Sequence, residues 1–100
     1  MNLGRAIKMC RTQRGMSQLD VALKSDCSVS YLSMLENNKR DPALSLTEKI
    51  AHALDVPISI LFFLASEKDE LSGIDKSLTG ELSRMALDLL NDPSNNKSHI

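Results

Sequence analysis

The sequence predicts an all-α protein, on three observations. The 100 residues include one Tyr, two Phe and no Trp, yet 42% are hydrophobic, so a core must be built from Leu, Ile, Val, Ala and Met. Leu, Ala and Met favour helices, whereas sheets draw on aromatic residues, which are scarce here. Apolar residues recur at spacings of three and four in successive segments, and no stretch alternates with period two. Ser, Gly, Asn and Pro punctuate those segments at the positions where helices start and stop.

Taken in order, Leu3, Ala6, Ile7, Met9 and Cys10 with Arg11 make a helical stripe over residues 2–14, closed by Gly15. Ser17 stands where an N-cap belongs, and Asp20 falls in the first turn of a short helix carrying Leu19, Val21, Ala22 and Leu23 to about Lys24. After a turn at 25–27, Ser28 caps a helix with Tyr31, Leu32 and Leu35 on one face. That helix ends near Glu36 and Asn37, where Asn38 can take the left-handed conformation. The turn is too short to do more than hold two helices at a steep angle.

Residues 38–45 are polar and include Pro42, which reads as a loop; Leu46, Ile50, Ala51 and Leu54 then give a fourth helix over 46–54. Pro57 opens a fifth, 58–65, whose run from Ile60 to Leu64 is apolar on more than one face, one for the core and one for a partner. A polar, Gly-containing stretch follows. From Thr79 a capped helix is expected, with Leu78, Leu82, Met85, Ala86, Leu89 and Leu90 on one face and Glu81, Arg84 and Asp88 opposite. Residues 92–100 turn polar and are expected to be disordered.

Several function classes fall away. A chain this short buries roughly 60 to 70% of its unfolded surface, which leaves little for a deep cofactor cavity, and no cofactor is expected. Cys10 and Cys27 lack the paired spacing of zinc ligands, and His52 and His99 stand alone, so no metal site is expected. No window has the apolar length that spans a bilayer, so a cytoplasmic protein with reduced thiols and no membrane partner is expected. No phosphate loop is present, and nothing places a nucleophile beside His52, so the sequence does not read as an enzyme.

Ser17-Gln18, Ala22, Ser25, Ser28, Tyr31-Leu32-Ser33, Leu35-Glu36-Asn37, Lys39-Arg40, Pro42, Lys49-Ile50-Ala51, Ala53-Leu54, Val56-Pro57 and Leu61-Phe62 resemble the phage-repressor (Cro-type, XRE-like) helix-turn-helix family. The resemblance covers about residues 3–64 and rests on many positions in fixed register. It implies a five-helix lambda-repressor-like DNA-binding domain over 1–65, with 66–91 forming a linker and a C-terminal association helix. It departs from the family at Asp26, where Gly is usual in the turn, and at Cys27, where a small aliphatic is usual. Cys27 reads as a buried small hydrophobe, with an oxidation-sensitive switch as the alternative.

The implied function is sequence-specific binding of double-stranded DNA, by a repressor or other transcriptional regulator acting on the bacterial nucleoid or phage DNA. A helix enters the major groove, roughly 12 Å wide, only if a second helix crosses behind it and rests on the phosphates. Val29, Ser30, Ser33 and Met34 are the expected base contacts; Gln18, Ser28, Asn37, Lys39 and Arg40 are the expected backbone contacts. In the family an Arg on the first helix pairs with the Glu closing the recognition helix, and Arg11 and Glu36 match as a structural ion pair. Residues 1–42 carry seven cations against four anions, +3, and the remainder five against nine, -4, which sums to the overall -1. The basic half is the one expected to face DNA. One such unit covers one half-site, so a homodimer on a palindromic operator is expected, associating through Phe62, Phe63, Leu78, Leu82, Met85 and Leu89, the alternative being that the last helix folds back on its own domain to cover the fifth. The rival reading is an antitoxin or accessory protein whose C-terminal helix binds a protein partner and which autoregulates its operon.

Overall fold

The computed structural model describes residues 1–67 and 76–91, with side chains at 1–67 and 80–91. These form six α-helices and no strand: α1 (Leu3–Gln13), α2 (Gln18–Ser25), α3 (Val29–Glu36), α4 (Leu44–Ala53), α5 (Ile58–Ala65) and α6 (Lys76–Asn91). None of them is long and apolar enough to cross a membrane.

Four helices close in one way. After α1, α2, α3 and α4 the chain turns through a left-handed residue: Gly15 (φ 68), Asp26 (φ 58), Asn38 (φ 58) and Asp55 (φ 57). In each case the next N–H reaches back into the last turn, Met16 to Arg11 O, Cys27 to Ala22 O, Lys39 to Met34 O and Val56 to Ala51 O, at 2.9 to 3.0 Å. This closure satisfies carbonyls that a helix end otherwise leaves unbonded. Only one of the four positions is Gly. Asp and Asn serve at the others because their short polar side chains tolerate the left-handed region better than other residues.

Each of the first five helices sends one face into a common core. Ile7, Val21, Leu32, Leu35, Ile50, Leu54 and Leu61 are the large aliphatics that lose all or nearly all contact with water. The helix α1 lies chiefly against α5 and α2 against α4, while α3 touches both α1 and α2. Near its start, α1 comes so close to the end of α3 that a Cβ on Gly4 would collide with Leu35 O, and would stand 2.6 Å from Asn38 Oδ1 and 2.9 Å from Glu36 O. Asn2 knots the same corner. Its Oδ1 accepts from Arg5 N–H at 3.0 Å and from Asn38 Nδ2 at 2.9 Å, and its own N–H donates to Ala65 O at 2.6 Å.

Two helix starts differ from the sequence expectation. The helix α4 begins at Leu44, because Thr47 N–H and Oγ1 both bond Ala43 O and draw the exposed Ser45 into the first turn. Residue 76, rather than the neighbourhood of Thr79, opens α6. Its inner face lies within the expected apolar side. Ala86 and Leu90 are buried, and α6 packs against α5 and α1. Leu82 and Leu89 are half-buried beside them, while Met85 is 49% exposed. The apolar stripe assigned to association is thus partly turned onto its own domain. The side chain of Leu78, the linker at 68–75 and the tail at 92–100, with His99, lie outside the described residues.

Three substitutions test this packing in one unfolding series. Gly4→Ala is expected to destabilise by about 2 to 3 kcal/mol, since backbone atoms must move to admit the methyl. Gly80→Ala, an exposed position in α6 with open space around its Cβ, is expected to stabilise by roughly 0.5 to 1 kcal/mol. Ser25→Ala removes a fully buried hydroxyl that has no hydrogen-bond partner among the described residues, and is expected to be neutral or stabilising by about 1 kcal/mol. Equal effects at Gly4 and Gly80 would contradict the close approach of α1 and α3.

Candidate nucleic-acid interface

The pair α2 and α3 is built by its caps. Ser17 Oγ accepts from Asp20 N–H at 3.0 Å, and Asp20 Oδ2 accepts from Ser17 N–H at 2.9 Å, a reciprocal box that starts α2. The bonds from the Ser17 backbone and hydroxyl hold the Asp20 carboxyl below the usual range. Ser28 Oγ accepts from Tyr31 N–H at 3.0 Å and starts α3. Between them lies the tight turn through Asp26. Its left-handed backbone takes the place of the expected Gly at a conformational cost that the Cys27-to-Ala22 bond helps offset.

One carboxylate sets how this pair sits on the domain. Glu36, at the last turn of α3, has a side chain 2% exposed. Arg11 Nε donates to its Oε2 at 2.6 Å and Arg11 Nη2 to its Oε1 at 3.0 Å, a two-pronged contact. Arg11 Nη1 donates to Met16 O at 3.0 Å, and Gln18 Nε2 donates to Glu36 Oε1 at 3.1 Å. The side-chain bond to Glu36 outweighs partial burial and raises the Arg11 guanidinium's pKa further, so the charge is permanent. Four segments are tied at this point: α1, the loop after it, the start of α2 and the end of α3.

The residues assigned to base contact fall on the side of α3 away from Leu32 and Leu35. Val29 is 38% exposed, Ser30 is exposed, and Ser33 and Met34 are half-buried. The assigned backbone contacts divide into two kinds. Lys39 and Arg40 are exposed just beyond α3. Gln18, Ser28 and Asn37 each carry a second duty, since Gln18 holds Glu36, Ser28 caps α3 and Asn37 Nδ2 donates to Ser33 O at 2.8 Å.

Two cations in the basic half do internal work instead. Besides Arg11, Arg14 turns inward, its Nε donating to Leu54 O at 2.9 Å and Nη2 to Asp55 O at 2.7 Å. A cation at those carbonyls suits the negative end of α4. Neither this role nor that of Gly4 is among the sequence expectations. A Gly next to the predicted α1 stripe was the available sign for Gly4, while Arg14 gave none, because its partners are backbone atoms forty residues away. His52 lines an open groove of about 860 Å³ with Arg14, Asp20, Lys24 and Asp55, and no Ser, Thr or Cys lies among its described lining residues.

Neither thiol is activated. Cys10 is fully buried and its pKa is pushed up to about 11, mainly by burial. Cys27 is half-buried against the core, and burial, with the neighbouring Asp26 charge, raises its pKa. Among the described residues, no group of three or more His, Cys, Asp or Glu side chains could hold a metal ion.

The helix-turn-helix family profile matches residues 7–61, which takes in α2, α3 and both partners of the ion pair. Over 89 residues the chain is 33% identical to the HTH-type transcriptional regulator SinR of Bacillus licheniformis, covering 88% of this chain and 77% of that protein. It is 30% identical over 90 residues to the Competence pilus inhibition repressor of Acinetobacter baylyi, covering 90% and 78%. It is 36% identical over 61 residues to the Immunity repressor protein of Bacillus phage phi105, and there the alignment spans 61% of this chain and 42% of the phage repressor.

Glu36→Ala is expected to lower stability by about 3 kcal/mol, because it leaves the Arg11 charge largely buried without its partner. Thermal or denaturant unfolding checks this, and a variant that melts with the parent would refute it. Cys10 is expected to resist alkylation at pH 8 in the folded protein and to react once denatured, as mass spectrometry of iodoacetamide-treated samples would show.

Proposed function

Because the chain belongs to the helix-turn-helix family of DNA-binding transcriptional regulators, we propose that it acts as a dimeric repressor reading a palindromic operator through the major groove. The observation that carries this reading is the α2–α3 pair. Its angle is held by the buried Glu36, and the first turn of α3 stands free to enter a groove. Val29, Ser30, Ser33 and Met34 meet base edges in this reading. Lys39 and Arg40 hold the phosphates beside the end of α3, while Gln18, Ser28 and Asn37 do so with the bonding capacity that their internal contacts leave. Residues 1–65 are the DNA-binding unit and 66–91 the association unit, working where the bacterial or phage genome lies.

Association is assigned to Phe62 and Phe63, half-buried on α5, and to the α6 stripe of Leu78, Leu82, Met85 and Leu89. With Leu82 and Leu89 partly turned inward, Met85 and the exposed Leu87 (58%) carry more of the outward apolar surface. The same exposure favours a second reading, in which α6 binds a different protein and DNA binding is autoregulatory. Sedimentation of the purified chain separates the two: a dimer at micromolar concentration is expected, and a folded monomer would exclude the first.

Selection from a random duplex pool at stated salt tests the whole reading, and recovery of two inverted half-sites about one helical turn apart is expected. Salt dependence gives a sharper figure. Of the seven cations in residues 1–42, Arg11 and Arg14 are held internally, which leaves Arg5, Lys8, Lys24, Lys39 and Arg40 on the surface. Lys39→Ala or Arg40→Ala is expected to reduce the slope of log K against log salt by about 0.9 per protomer. An unchanged slope in both variants would remove those residues from the interface.

A further inference from the structure

The reading helix contains no Arg, Lys, Asn, Gln or His between Val29 and Glu36, and therefore none of the side chains that make two-pronged bonds to a guanine or adenine edge. Its one acid, Glu36, is internal. Asn37, the amide at its closing end, donates Nδ2 to Ser33 O and is folded back on the helix. Ser30, Ser33 and the half-buried Tyr31, packed against the core, remain, and a hydroxyl can bond several bases. What the first turn presents besides Ser30 is Val29, an apolar side chain 38% exposed where the core does not need it.

The chemistry of the major groove narrows what Val29 can recognise. Among the base edges displayed there, the C5 methyl of thymine is the apolar group, and 5-methylcytosine carries the same methyl on the other pyrimidine. Val is stiff about its first side-chain torsion, so its two methyls are held in place at little entropic cost. We infer that Val29 reads a pyrimidine C5 methyl, so that the DNA this chain selects is a duplex with thymine or 5-methylcytosine opposite the first turn of α3. The inference rests on the DNA-binding reading above.

The test uses the full chain and a duplex recovered from the random pool, resynthesised with deoxyuridine in place of thymidine one symmetric pair of positions at a time. Fluorescence anisotropy at fixed salt then reports affinity. At one pair of positions deoxyuridine is expected to weaken binding by about three- to fivefold per half-site, the worth of one buried methyl. With a G·C pair at that position, 5-methylcytosine is expected to bind tighter than cytosine by a similar factor. Both effects should vanish in Val29→Ala, whose melting temperature should match the parent's, and should persist in Met34→Ala. Undiminished binding to every deoxyuridine duplex would overturn the inference, as would a deoxyuridine penalty that survives in Val29→Ala. Failure of the parent chain to bind any duplex is a different result: it would defeat the DNA-binding reading, and this inference with it.

Discussion

A carboxylate buried to 2% exposure, Glu36, meets a guanidinium from α1 and an amide from α2 while standing on α3. Taking a carboxylate and a guanidinium out of water is unfavourable, and their attraction repays it only when geometry is good and the remaining donors and acceptors are satisfied. Here they are: Arg11 spends three nitrogens on Glu36 and Met16 O, and Gln18 supplies a further donor to the carboxylate. Apolar contacts among Leu32, Leu35, Ile7 and Val21 would tolerate small rotations of α3, since the hydrophobic effect is non-directional. The hydrogen bonds would not. The core therefore determines that the helices assemble, and the ion pair determines the angle at which α3 is presented.

Much of this was legible beforehand, for reasons that can be traced residue by residue. The helices α1, α2, α3 and α5 follow from apolar spacing and from Ser17, Ser28 and Pro57 at their starts, because caps and periodicity are local properties. The helix α4 starts two residues before the apolar spacing predicts, since its first turn gains its hold from Thr47 rather than from a conventional cap. Which part of the α6 apolar side turns inward is less legible. A helix with Leu on several faces shows that one side is buried, but Ala86 and Leu90 become the inner side only through what α1 and α5 present. Arg14 carries the same lesson. Its acceptors, the carbonyls of Leu54 and Asp55, have no side-chain signature at all.

Charge follows from the same distinction. The +3 of residues 1–42 does not translate into seven cations on the surface. Two of them are structural, and one of the four anions, Glu36, is withdrawn with them. The surface of that half consequently keeps five cations against Asp20, Asp26 and Asp41, two of those cations being adjacent at Lys39 and Arg40. Those two sit where α3 ends, so the positive charge is concentrated beside the proposed reading surface instead of being spread over the half domain.

Gly4 gives this arrangement a mechanical aspect. The helix α3 is only eight residues long, about 12 Å at the usual rise, and it is gripped at both ends: by the turn after α2 at its start, and by α1 and Asn2 at its close. A short rod pinned this way behaves as a lever. A displacement of its closing end, as an added methyl at residue 4 would impose, tilts the rod about its opposite, held end and so re-aims the side chains there. That opposite end holds Val29 and Ser30. The missing Cβ of Gly4, on α1, thus belongs to the aiming of α3, the helix proposed to read the groove.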